Sequence, residues 1–293
     1  MLRTELLKWC QYKYDHSHTG KCGQECNNVN ACVHDCDECL NQVHWFPQYG
    51  GRCDYDCAIL LLKYVLRYTD KYSSQIISAL QYIDLSRYPR YHIFSIGCGA
   101  APDLMAFEET TIGKEIYYKG YDRNHLWAEI HNGIERYAES TGYIEAKLRQ
   151  HDIFDVFLDG KPHNQQYNIV VIQYLLSHLY NIGQASQIGI LFDYISDNIL
   201  VKRLNKSPFL IIITDIDSMN KGRNTWYTLL DKLEDKGYRG NAYARSAHAN
   251  GDLGRTRWSS YSHRQSPVFE NITYNYFENN SEHDGAQLII ELR

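Results

Sequence analysis

No apolar run in this chain approaches the roughly 18–20 residues of a bilayer-spanning helix, and the longest, such as residues 209–213, stop far short. The N-terminus lacks an apolar stretch of signal-peptide length and turns polar and cysteine-rich within about a dozen residues. A soluble, cytoplasmic protein without membrane contact is expected. Neither sign of charge dominates: 30 Lys+Arg stand against 35 Asp+Glu, a net −5. That excludes the global basic field behind nonspecific nucleic-acid binding. No internal repeat or low-complexity tract is present. Apolar residues make up 44% and charged residues 22% of the 293 positions, enough apolar content to exclude a disordered chain. The length suits one large domain or two modest ones.

What the chain does have is cysteine in one place. Cys10, Cys22, Cys26, Cys32, Cys36, Cys39, Cys53 and Cys57 precede residue 58, and Cys98 stands apart. A disulfide scaffold needs an oxidising compartment, which no secretion signal supports. Thiolates three or four positions apart converge from a tight turn or from successive helical turns, and tetrahedral zinc takes four of them. The polar stretch 20–37 has little with which to build a core, so a metal would supply its stability. Zinc is the expected metal, with an iron–sulfur cluster as the alternative. The spacing Cys32-x3-Cys36-x2-Cys39 also matches the cluster-binding triplet of radical enzymes. Here, however, it follows no apolar strand.

Beyond the cysteines, helical spacing of Ala58, Leu61, Leu62, Val65 and Leu66 predicts a helix over 55–69, and a second is expected over 74–85. From residue 91 the pattern changes. Apolar runs at 92–96, 115–121, 168–173 and 209–214 alternate with helical segments at 102–109, 124–139 and 182–204. Such alternation predicts an α/β fold around a parallel sheet. The runs 271–277 and 286–292 suit a closing antiparallel hairpin. The first strand enters Gly97-Cys-Gly99-Ala-Ala101-Pro102-Asp103, where glycines let the backbone turn and approach a ligand. Asp122 ends the second strand, where an acid meets a cofactor's ribose. Pro102 occupies the third position of a dinucleotide-binding G-x-G-x-x-G, which disfavours a dehydrogenase.

With these features, residues 91–293 resemble the class I S-adenosylmethionine-dependent methyltransferases. The resemblance implies a Rossmann-like sheet and S-adenosyl-L-methionine as cofactor. The family's first motif falls on Ser95, Gly97, Gly99 and Ala101, so its acid and third glycine are missing. Asp103 is the implied substitute for contact with the methionine amino group. The family's ribose acid falls on Asp122 and its adenine-contacting pair on Asp152 and Ile153. Gln173 is expected to touch cofactor or substrate. The implied organisation is a cysteine-rich metal-binding module (1–57), a helical connector (58–90) and a methyltransferase-like domain (91–293).

Tyr174 and His178 are the polar groups expected nearest the methyl position, His178 as a general base. The stretch 173–176 has no proline, unlike the [DN]-P-P-[FY] of base amino methyltransferases, and no cysteine follows Cys98 to act as the nucleophile of a pyrimidine C5 enzyme. Residues 238–264 carry five arginines against one acid, a local +4. Arg255, Arg257 and Trp258 there are expected to hold RNA or another polyanion. The alternatives are a small-molecule methyltransferase and a noncatalytic relative that docks a protein partner through its cysteine-rich end.

Overall fold

A computed structural model describes residues 1–17, 35–48, 53–111, 113–158, 166–203, 208–216, 223–246, 262–266 and 285–293. Among the described residues three helices open the chain: α1 (Leu2–Ser17), α2 (Cys36–His44) and α3 (Ala58–Leu80). The alternating part follows as β1 (Tyr91–Ile96), α4 (Pro102–Thr110), β2 (Ile116–Asp122), α5 (Ala128–Thr141), β3 (Ile144–Gln150), α6 (Ile153–Leu158) and β4 (Ile169–Gln173). Then come α7 (Leu175–Asn181), α8 (Ser186–Tyr194), β5 (Phe209–Ile216), α9 (Trp226–Asp235), β6 (Gly240–Ser246), β7 (Ser262–Ser266) and β8 (Gly285–Leu292).

The strands form one sheet in the order β3-β2-β1-β4-β5-β8-β6-β7. The first five are parallel, and β8 lies antiparallel between β5 and β6. This is the expected α/β, Rossmann-like sheet with its antiparallel closure. The run 271–277 lies outside the described residues, and β8 takes β5 and β6 as its neighbours. Three strands, β3, β6 and β7, escape the periodicity reading. β3 is an edge of the sheet in which charged residues separate Ile144 from Leu148, so its apolar signal is thin. β6 falls in the arginine-bearing stretch 238–264, where no strand is expected.

Central strands are covered on both faces, which is why their sequences read as unbroken apolar runs. Phe209 to Ile213 are fully buried. One core lies between the sheet and helices α1, α3, α4 and α5, a second under α7, α8 and α9, and a smaller third between α2 and α3. The two helices expected over 55–69 and 74–85 are one, α3. Its polar middle is buried yet paired: Ser73 Oγ donates to the Pro102 carbonyl (3.0 Å), and Gln75 Nε2 donates to Tyr174 Oη (2.7 Å). Sequence periodicity breaks there because these helix positions meet hydrogen-bonding groups, a backbone carbonyl and a tyrosine hydroxyl, instead of apolar surface.

The direction in which strands are added reverses between β1 and β4: β2 and β3 build outward on one side, β4 and β5 on the other. Ligand crevices in doubly wound sheets form at the carboxyl ends of strands at such a switch point.

Candidate functional site

The loop after β1 is held in left-handed backbone at three positions, Gly97 (φ 67°), Gly99 (φ 49°) and Ala101 (φ 55°). Only the last carries a Cβ, a strain of the kind that collects at functional sites. Its conformation is imposed from neighbouring elements. Asp122, at the end of β2, accepts the Gly99 amide through Oδ2 and the Asn124 amide through Oδ1, each at 3.0 Å. His131, buried in α5, bonds the Gly99 carbonyl through Nε2 at 2.7 Å and meets Gln150 through Nδ1 at 2.6 Å. Burial lowers its pKa to about 4. The neutral ring can therefore donate from Nε2 to the carbonyl while Nδ1 accepts from the Gln150 amide. Sequence reading missed His131, because its partner is a loop 32 positions away. Gly120 on β2 has a steric reason too: a Cβ there would stand 2.8 Å from Cys98 Sγ and 2.9 Å from the Tyr118 ring.

The loop opens onto a cavity of about 550 Å³, within the usual range of small-molecule sites. The carboxyl edge of the sheet contributes Gly97, Gly99, Asp122, Asp152, Ile153 and Gln173 to its lining. The structure thus brings most of the expected cofactor residues together. Asp152 also accepts the Phe154 amide (2.9 Å) at the start of α6. Ser95, Ala101 and Asp103 are buried and do not line the cavity. Asp103 accepts from Tyr118 Oη at 2.9 Å and from Ser95, and burial raises its pKa to about 6. It braces β1, β2 and α4 against one another.

Tyr174 and His178 line the cavity beside Gln173. Tyr174 takes a left-handed conformation (φ 54°) where β4 turns into α7. Gln173 Nε2 donates to the Tyr72 carbonyl at 3.1 Å. His178 Nε2 lies 4.0 Å from Asp54, whose carboxylate pairs with Arg123 at 2.6 Å. Burial, with Arg123 nearby, lowers the His178 pKa, while Asp54 opposes the shift. Asp215 is fully buried under α7, accepting the Ser177 amide at 3.1 Å and its neighbour's amide at 2.8 Å. It is a structural brace, and burial raises its pKa to about 6.

The rest of the lining comes from before the sheet. Residues 43–46 on α2 and its C-terminal turn, with Tyr55, Tyr64 and Tyr72, face the cavity. Asp54 and Tyr55 are tied to the tip of β2: besides the Arg123 pair, Asn124 Nδ2 donates to the Tyr55 carbonyl at 2.6 Å.

Cysteine placement is divided. Cys10 is fully buried in the apolar core with Leu61 and Val65, and that burial raises its thiol pKa. Cys36, Cys39 and Cys57 are buried around α2 and the start of α3, and Cys53 is half-buried. Cys22, Cys26 and Cys32 lie outside the described residues, as do Arg255, Arg257 and Trp258. Among the described residues no three His, Cys, Asp or Glu side chains gather as a metal site.

Fold and site together define a Rossmann-like α/β protein whose glycine loop borders a partly open cavity. No protein-family model matches the chain, and no curated protein sequence matches it significantly. Among solved structures it is similar to the plantazolicin methyltransferase BpumL in complex with SAH, at 13% identity over 97% of this chain and 100% of that one, with a TM-score of 0.45. It is also similar to precorrin-6y C5,15-methyltransferase from Geobacter metallireducens GS-15 (15% identity, 76% and 88% covered, TM-score 0.38). A third similarity is to a SAM-dependent methyltransferase from Archaeoglobus fulgidus (13% identity, 75% and 94% covered, TM-score 0.41). These likenesses are faint, and the functional reading rests on the site itself.

Proposed function

We infer that the protein is an S-adenosylmethionine-dependent methyltransferase whose acceptor enters the cavity. The observation that carries this is one cavity lined jointly by the glycine loop, Asp122, Asp152 and the group Gln173, Tyr174 and His178. The residues suit the cofactor: Gly97 and Gly99 keep the loop free of side chains, and Asp122 retains acceptor capacity beyond its two amide bonds. Asp54, Asp122 and Asp152 give the lining an acidic balance against Arg123, favourable for a cationic cofactor. S-adenosylmethionine supplies an electrophilic methyl group on a sulfonium centre.

The chain's own part is to position and deprotonate. Loss of solvent keeps His178 neutral at pH 7, so its ring accepts a proton from an acceptor O–H or N–H. Gln173, anchored on the Tyr72 carbonyl, and Tyr174, anchored on Gln75, fix the floor against which the acceptor rests. The polyanion reading keeps its support in the local +4 of residues 238–264. The metal reading keeps its support in cysteine spacing.

Calorimetry with S-adenosylmethionine, followed by labelled methyl transfer to molecules that copurify, is the test. Micromolar binding with turnover is expected. Binding without turnover on any copurifying acceptor favours the noncatalytic relative, and absence of binding removes the methyltransferase reading.

A further inference from the structure

The cofactor residues occupy the sheet's edge, but much of the cavity wall is aromatic and comes from the N-terminal helices. Tyr64, Tyr68 and Tyr72 recur every fourth residue on α3 and so share one face. Their rings run on into others. Tyr64 meets Trp127 edge-on at 5.8 Å and Tyr55 at 4.8 Å, and Tyr72 meets Tyr174 at 4.5 Å. Tyr68 stacks on Tyr72 (5.4 Å, 7°) and on His44 (5.5 Å, 13°), and His44 touches Trp45 at 5.2 Å. A continuous aromatic chain thus extends from beside the glycine loop, past the position of Tyr174, to the turn after α2. His44, Trp45, Tyr55, Tyr64, Tyr72 and Tyr174 all line the cavity.

Such a wall has two chemical consequences. Rings held by their neighbours offer fixed faces and edges to another planar π-system without loss of side-chain freedom. Their charge setting is selective as well. Arg123 is engaged with Asp54, which leaves Asp122 and Asp152 as the unbalanced charges of the described lining. An anion entering there meets carboxylates; a neutral or cationic ring meets aromatic faces and a favourable field.

We propose that the methyl acceptor is a small planar aromatic or heteroaromatic molecule without negative charge, bound between the α3 tyrosines and the turn after α2. This rests on the methyltransferase reading above for the word acceptor, although the aromatic site itself does not. It departs from the polyanion expectation by the sign of the charge at the cavity.

The test is fluorescence titration of the full-length protein with three bicyclic or tricyclic probes: 9-aminoacridine (cation), 2-naphthol (neutral) and 2-naphthalenesulfonate (anion), with cyclohexanol as a nonplanar control. Saturable binding of the first two is expected, with the sulfonate at least about 10-fold weaker and cyclohexanol undetectable. Trp45→Ala, at an exposed position, and Tyr64→Leu should each weaken 9-aminoacridine by about 5- to 10-fold. Calorimetric S-adenosylmethionine affinity of Trp45→Ala should stay at the wild-type value, which also certifies its fold. Equal or tighter sulfonate binding, or displacement of 9-aminoacridine by a salt-sensitive RNA oligonucleotide, overturns the proposal in favour of a polyanion. Failure of both uncharged and cationic probes while S-adenosylmethionine binds overturns it and leaves the methyltransferase reading standing. Probe binding without S-adenosylmethionine binding does the reverse: the aromatic site stands and the word acceptor falls.

Discussion

At the scale of single residues, the site depends on groups whose protonation is set by burial. His178 is neutral at pH 7, and its replacement by Ala should lower kcat by about 100-fold or more while S-adenosylmethionine affinity changes little; steady-state kinetics beside calorimetry separate the two. In the pH profile, the acid limb should lie below the ordinary imidazole range, because lowering the pKa extends the neutral range toward acid. Asp122→Asn should weaken cofactor binding by about 1.5–3 kcal/mol, the usual worth of a hydrogen bond to a charged group, measured by calorimetry. His131 is legible only in stability. Its folded pKa is about 4 against an ordinary value of 6.5, so between those values the unfolded chain binds the extra proton. Stability from this site is therefore present above pH 6.5 and is lost as pH falls toward 4, by about 3 kcal/mol. Asp103 and Asp215, both raised to about 6, act in the opposite sense over the same window. The difference between wild-type and His131→Gln urea unfolding curves across pH 4–7 isolates the histidine limb.

At the scale of elements, the glycine loop is a joint product of β1, β2, α4 and α5. The motif was readable because a strand, two glycines and a helix follow one another in the chain. The clamp on it was not, because Asp122, His131 and Gln150 come from separate elements. Gly120 illustrates the same division. In sequence it is one more glycine in a strand, whereas in the fold Cys98 packs over it. Gly120→Ala should cost about 1–3 kcal/mol through overpacking. Cys98→Ala in the same chain should return part of that, as thermal unfolding of the single and double variants will show. The sequence suggests two helices where α3 is one because its middle is polar. Those residues are buried against the Pro102 carbonyl and Tyr174, and no local pattern encodes partners so far along the chain.

At the scale of the whole molecule, the N-terminal helices complete the cavity that the sheet begins. Asp54 and Tyr55 reach Arg123 and Asn124 across about 69 positions. Arg123→Ala should therefore loosen this tie, raising proteolysis between residues 53 and 57 without shifting the global unfolding midpoint by more than a few degrees. Elemental analysis of anaerobically purified protein bears on the cysteines: the metal reading expects stoichiometric zinc or iron, and finding neither removes it. The sequence by itself determined the α/β class, the parallel strands β1, β2, β4 and β5, and the glycine loop. Each of these is written in local periodicity or in adjacent residues, where backbone sterics and burial on both faces leave a direct mark. Only the tertiary structure decided that Asp103 and Asp215 are buried braces, that β8 enters between β5 and β6, and that tyrosines from α3 wall the cavity. Those outcomes depend on which distant surfaces meet, and the physics that selects them acts between segments rather than along the chain.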